Sequence, residues 1–115
     1  MTIAVNATKE ALADAYVALG AWISLHTGAP GTTGANEATG GGYARKQTTW
    51  ATGDASDGVN TGSQVEIDVA AGTYTHVGIW SASTAGTFVD FYDIPTDVVM
   101  SAAGKIRVTP TYTQS

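Results

Sequence analysis

Past Gly20 the chain abandons helical spacing and repeats with a period of two. In QVEIDV, Val65, Ile67 and Val69 alternate with Gln64, Glu66 and Asp68; in KIRVTPTY, Ile106, Val108 and Tyr112 alternate with Lys105, Arg107, Thr109 and Thr111. Successive side chains of a strand point to opposite faces, so these segments fit a sheet with one face buried and the other in water. AWISLH, QTTWAT, THVGIWSA and TFVDFYDI are further short runs of β-branched and aromatic residues, separated by Gly, Asn, Asp or Ser clusters. Six strands are expected. Pro110 cannot donate to a ladder, which places the last strand at an edge or pairing through its other side.

One segment reads as a helix, over residues 8–19. Leu12, Tyr16 and Leu19 recur at helical spacing with Ala11 and Ala15 beside them, Thr8 or Asn6 is positioned to cap the first amides, and Gly20 can end the helix in a left-handed conformation. About three turns do not stand alone in water, so this apolar face is expected to lie on the sheets. The pattern predicts one domain over residues 1–115, mainly β: a two-sheet antiparallel β-sandwich of jelly-roll or immunoglobulin-like type, or a small barrel, with a short N-terminal helix.

Composition narrows the partners. Ten acidic against five basic residues leave a net charge of −5, which argues against nucleic acid, whose binding needs clustered cations. Charged residues make up only 13% of the chain, so Thr, Ser, Ala, Gly and Asn must cover much of the surface, and such a surface suits permanent contact with other subunits. The chain contains no cysteine, which removes disulfides, thiolate metal sites and a thiol nucleophile together. No apolar run approaches the ~20 residues of a membrane span, and MTIAVNATKE lacks the basic flank of a secretory signal, so the chain is expected to be intracellular when made.

Two connections are longer than hairpins need, residues 27–45 and 53–63, and contacts with a partner should be sought there. The run Gly40-Gly41-Gly42-Tyr43-Ala44-Arg45 has the look of a phosphate loop, but its sequel is a strand rather than a helix and the Lys-Ser/Thr pair is missing. Asp54, Ser56 and Asp57 have some of the oxygens of a calcium loop, although Asp and Gly in this pattern more often make an ordinary turn. His26 and His76 are the only histidines; a histidine on a sheet is more often a hydrogen-bonded structural residue than a ligand, and no serine lies in a nucleophile elbow. No cofactor and no metal is expected, and the chain does not read as an enzyme. Trp22, Trp50 and Trp80 suggest a sugar platform, yet each falls within an expected strand, where large aromatics usually fill a core.

The string SLHTGAPGTTGANEATGGGYARKQTTW, followed by VEIDVAAGTYTHVGIWSASTAGTF, resembles a family of small phage virion proteins described as tail fibre or minor tail proteins and common in phages of actinobacteria. The shared features are a strand ending at residues 24–27, a P-G-x-x-G-x-N-E loop at 30–37, the glycine-rich start of a strand at 41–45, Trp50, and T-H-x-G-x-W at 75–80. The likeness runs from the helix to about Phe88 and is loose beyond it. It implies a non-enzymatic structural subunit of a virion, of minor tail or fibre type or a capsid decoration protein, packed against major capsid or tail subunits and forming a homo-oligomer for which a trimer suits fibre symmetry. The alternative is a host-recognition module that binds cell-surface glycan through aromatics such as Tyr43 or Tyr92. In either case Pro30, Gly31, Gly34, Asn36, Glu37, Gly41, Gly42, Tyr43 and Arg45 are the residues expected to shape the long loop or to touch another subunit, with Glu37 and Arg45 able to clasp across it.

Overall fold

A computed structural model describes residues 2–52 and 57–115. The chain is mainly β with one N-terminal helix: α1 (Asn6–Val17), β1 (Trp22–His26), β2 (Lys46–Gln47), β3 (Val59–Thr61), β4 (Val65–Val69), β5 (Gly72–Trp80), β6 (Phe88–Met100), β7 (Gly104–Val108) and β8 (Thr111–Thr113). Among the described residues all pairings are antiparallel, in one sheet of order β2-β1-β5-β6 and two pairs, β3-β8 and β4-β7.

The register shows how the period-two segments are used. Val65 to Val69 pair with Val108 to Gly104, and the same ladder resumes at Gly72 opposite Met100. Strands β4 and β5 on one side and β6 and β7 on the other thus form one long ribbon, interrupted at residues 70–71 and 101–103. Val65, Ile67, Val69, Ile106 and Val108 from one half share a core with Val77 and Ile79 from the other, and with Ile23 and Leu25 of β1. Both halves present apolar faces to one core, so the ribbon folds back over itself at the interruption. Ile23, Leu25, Ile67 and Val69 are completely buried, and burying each such side chain stabilises by about 1.5–3 kcal/mol. Opposite the core, Asp68 faces Lys105 at 2.8 Å and Glu66 faces Arg107 at 3.3 Å, directly across the ladder.

Several expectations shift. Of the anticipated strand QTTWAT only Gln47 lies in β2, with a lone bridge between Trp50 and Gly62; the Thr48 N–H still reaches the Ala21 carbonyl (2.8 Å), and past it the chain is held by Ser63, whose carbonyl accepts the Thr48 hydroxyl (2.7 Å) and whose Oγ accepts the Thr49 N–H (2.9 Å). Within the expected 53–63 loop, Val59–Thr61 is a strand, paired with β8, which Pro110 separates from β7. Strand β6 runs well past Ile94, with an irregularity where Tyr74 opposite Val98 gives way to His76 opposite Asp93.

The helix differs most. It begins at Asn6 with Val5 as its N-cap and no side-chain cap bond, and a tighter bond from the Leu19 N–H to the Tyr16 carbonyl closes its end. Gly20 is not left-handed; a Cβ there would strike the Trp80 carbonyl and Val89, so glycine is needed for close passage over β5. The helix buries Glu10, Ala13 and Val17, whereas Leu12 and Leu19, expected inside, are 44% and 60% exposed. Tyr16, from the expected face, does pack inward, stacking on Tyr112 of β8 with ring centroids 3.6 Å apart. Small Ala13 permits close approach to β3 and β8, and polar anchors from Glu10 and Asp14 fix the rotation.

The burial difference gives a direct check. Ile67→Ala should lower unfolding stability by about 2–5 kcal/mol, the range for emptying a fully packed aliphatic site, whereas Leu12→Ser on the monomer should stay within about 0.5 kcal/mol. Urea denaturation of the two variants reads the contrast, and an equal loss would place Leu12 inside.

Candidate functional site

The long loop is tied down along the open edge of β1. That edge meets β2 at Trp22 and Ile23, and beyond it the loop returns as a bridge between His26 and Glu37. The Thr27 N–H donates to the Asn36 carbonyl (3.0 Å), and the Ala38 N–H donates to the Leu25 carbonyl (2.9 Å). The Leu25 N–H, which β2 does not reach, donates to the Tyr43 hydroxyl (3.2 Å). A buried edge amide without a partner would be costly, so Tyr43 completes the sheet.

The same hydroxyl donates to Glu37 Oε2 at 2.7 Å, and Arg45 meets Glu37 with two parallel bonds, Nε to Oε2 at 2.8 Å and a terminal nitrogen to Oε1 at 2.9 Å. The other terminal nitrogen of Arg45 donates to the carbonyls of Ala82 (3.0 Å) and Ala85 (2.8 Å), and its carbon sits 3.6 Å above the Trp80 ring. Its planar fork suits this bidentate and stacked role, which a lysine could not fill. Burial pushes the Glu37 carboxyl up, but bonds from Arg45 and Tyr43 outweigh it and hold the carboxyl below its ordinary value. Burial and the Glu37 bond push the Tyr43 hydroxyl up, so it stays protonated.

The remaining loop residues supply backbone geometry. Pro30 is fully buried and its carbonyl accepts the Ala35 N–H (3.0 Å). Gly34, at φ +77°, lies flat on Trp80 and Phe88, where any Cβ would enter the indole. Gly41, at φ +63°, presses on the Ala70 backbone at the fold of the ribbon. Gly31 and Gly42 also hold positive φ, as does Asn36 at 61°, whose side-chain amide donates to the Ala29 carbonyl (3.1 Å). The loop thus brings Glu37, Tyr43 and Arg45 together, places Gly34 on Trp80, and leaves Gly31 in open space.

Beneath Gly34 lies a buried polar layer. Ser24, His26, Gly78 and Trp80 share the sheet face opposite the apolar core. The Trp80 indole N–H donates to Ser24 Oγ (3.0 Å), the Ser24 hydroxyl meets His26 Nε2 (2.7 Å), and His26 Nδ1 meets the Ala35 carbonyl (2.8 Å). With the proton on Nδ1, every bond has a donor and an acceptor. Burial lowers the His26 pKa below its usual value, which keeps the ring neutral. A Ser-His pair at this distance has the geometry of a nucleophile and base, but both side chains are completely buried and the third member is a backbone carbonyl. No substrate reaches Ser24, and the pair is a structural link. His76 instead pairs with Asp93 on the sheet's outer edge.

Beside the clasp is an open concavity of about 300 Å³ lined by Glu37, Thr39, Tyr43, Arg45, Ser83 and Thr84, among others. Among the described residues no three His, Cys, Asp or Glu side chains gather as a metal-ligand set. Of the possible calcium loop, Asp54 and Ser56 lie outside the described residues, and Asp57 accepts the Val59 N–H (2.9 Å) in a local turn. Tyr92 packs against the core. Among the described residues no helix is long and apolar enough to cross a membrane.

A family model described as podophage GP4 fiber I protein gp80 matches residues 5–111. No curated protein and no solved structure matches.

Breaking the clasp exposes its weight. Glu37→Ala should cost about 3 kcal/mol, because it strands the buried Arg45 fork. Glu37→Gln supplies the pH test. The folded carboxyl is held below its free value of 4.5, so its contribution is complete above that pH and is lost as pH falls through the lowered folded value. The melting-temperature gap between wild type and Glu37→Gln should therefore be constant near neutrality and close in acid; a gap that widens in acid would reverse the assignment.

Proposed function

Because the chain belongs to the podophage GP4 fiber I protein gp80 family, a family of phage tail fibre proteins, we propose that it acts as a non-enzymatic structural subunit of the virion, of minor tail or fibre type, by packing against neighbouring tail subunits. The observation that carries this reading is the clasp. Its charged and polar groups are directed at one another and at the backbone, which makes a stiff loop rather than a reactive site. The fold serves the same end. We read the β2-β1-β5-β6 sheet and the β4-β7 pair, which share one apolar core, as the two layers of a minimal β-sandwich.

Assembly as a homo-oligomer, with a trimer matching fibre symmetry, is supported by the helix. Val5 at the N-cap, Leu12 on α1 and Leu19 just past its end are exposed at seven-residue spacing, with Thr8 and Ala15 between them, and we read this stripe as the surface by which copies meet. An exposed apolar stripe of this kind marks a contact surface. The concavity beside the clasp and the shaped loop at 30–37 are the surfaces we assign to other tail subunits. Of the aromatics on which a glycan-binding role would rest, Tyr43 has its hydroxyl engaged by Glu37 and Tyr92 packs against the core, which favours the structural reading.

Immunogold labelling of purified particles, with copy counting by quantitative mass spectrometry, should place the protein at the tail in a small number of copies; hundreds of copies over the capsid would make it a decoration protein. Leu12→Lys should shift the purified protein to a smaller species in sedimentation velocity while its monomer stability changes by less than about 0.5 kcal/mol. An unchanged sedimentation coefficient for a stable oligomer would remove the helix from the contact.

A further inference from the structure

The folded ribbon leaves one side of the molecule open. Strand β7 pairs with β4 along one edge only, and β6 ends the four-stranded sheet. Both strands line a cleft of about 220 Å³ whose walls are chiefly Val77, Ile94, Val98, Ile106 and Val108. None of the lining residues comes from β4, so the cleft opens on the side of β7 that β4 leaves free. The two edges are not equally available. On β6 the Asp90 side chain takes up the Phe91 N–H (2.8 Å), and Pro95 has no N–H to offer. The β7 edge, Gly104–Val108, is regular and carries no such block. A two-stranded pair is a marginal structure, and an unpaired edge is a template for a further strand.

The segment ahead of α1 has the form that such an edge accepts. Val5 is extended, at φ −96° and ψ 120°, and it is 58% exposed. Ile3 and Val5 alternate with Thr2 and Ala4, the period of a strand with one apolar face. Among the described residues no strand or bridge pairs residues 2–5. Laid along β7, four extended residues span roughly 13 Å, within the length of that strand. Ile3 and Val5 then stand beside the inward Ile106 and Val108, over the cleft, and Thr2 and Ala4 beside the outward Lys105 and Arg107. The segment brings no charge into an apolar cleft. Val5 also belongs to the exposed stripe with Leu12 and Leu19, so segment and helix present one continuous surface.

Resting on the homo-oligomer proposed above, we infer that residues 2–5 of one copy add as a third strand to the free edge of β7 in the next copy, with Ile3 and Val5 seated in the cleft. Main-chain bonds supply the attachment, and the alternating side chains set its register. The donating and accepting surfaces are different parts of the chain, so the contact runs head to tail. Such contacts close into a ring when successive rotations complete a turn, which is the geometry a trimer requires. Each copy gives one strand and receives one.

Disulfide trapping reads this contact directly, because the chain has no cysteine of its own. The full chain carrying Ala4→Cys together with Lys105→Cys or Arg107→Cys, which cover two registers, is oxidised and run on a non-reducing gel. One of the pairs should give covalent species larger than a dimer, which no single-cysteine variant can form, and reductant should remove them. Ile3→Asp, which puts a charge in the cleft, should shift the protein to a smaller species in sedimentation velocity. Should Ile3→Asp prove poorly folded, the trapping experiment decides. A double-cysteine chain that closes within one copy assigns the cleft to its own segment and overturns the proposal, as does a wild type that is monomeric at every concentration. An oligomer that Leu12→Lys dissociates but Ile3→Asp leaves intact, with no trapped species beyond a dimer, keeps the homo-oligomer and overturns the added strand.

Discussion

The guanidinium of Arg45 holds three separate parts of the chain in one place. Its fork fixes Glu37 and, through Glu37, the Tyr43 hydroxyl that completes the β1 edge; its other nitrogen gathers two carbonyls of the turn between β5 and β6; its face covers Trp80. That turn includes Ala85 at φ 54°, a conformation that residues with a Cβ seldom adopt. A bond from Arg45 to the Ala85 carbonyl, and the Ser81–Thr87 bonds across the turn, over-determine the conformation. Remove Arg45 and the loop, the sheet edge and the hairpin turn each lose a partner that no other residue supplies.

The central sheet is built differently on its two faces, and each face specifies a different kind of packing. The apolar face meets the folded-back ribbon and supplies most of the hydrophobic stabilisation. The other face carries Ser24, His26 and Trp80 in a hydrogen-bonded chain that the loop seals with Gly34 and Ala35. Apolar contacts are tolerant of small shifts, whereas a fully satisfied buried polar chain accepts few alternatives. The glycine-rich loop is therefore registered on the sheet by polar contacts and stiffened by the clasp.

What could be read from sequence followed physical reach. Alternation in QVEIDV and KIRVTPTY placed Val65, Ile67, Val69, Ile106 and Val108 inside, because a strand's own geometry dictates which residues share a face. The placing of His76, Gly78 and Trp80 on the face opposite Val77 and Ile79 rests on the same rule. Glu37 and Arg45 could be suspected of pairing from charge and loop length, but the Trp80 ring and the 82–85 carbonyls that complete the site come from 35 or more residues away and leave no local signal. The helix misled for a related reason. Its most hydrophobic stripe is Leu12 and Leu19, and a rule that sends apolar residues inward takes the chain to be its own only partner.

That rule fails here because α1 is oriented by polar chemistry. Glu10 and Asp14 reach Gly58 and Asn60, Ala13 lets the helix sit close, and Tyr16 stacks on Tyr112 while its hydroxyl donates to Asp90 (2.6 Å). Turning the helix to bury Leu12 would pull both carboxylates and the tyrosine from these partners. The sequence therefore accepts exposed leucines in the single chain. Such an orientation is favourable when the outward stripe is covered in the assembled state, and the burial of Val5, Leu12 and Leu19 then adds to association rather than to folding. The helix thus meets the sheets through polar anchors set beside small and aromatic side chains, Glu10 and Asp14 with Ala13, Tyr16 and Val17, and that combination, not hydrophobicity alone, leaves Leu12 outward.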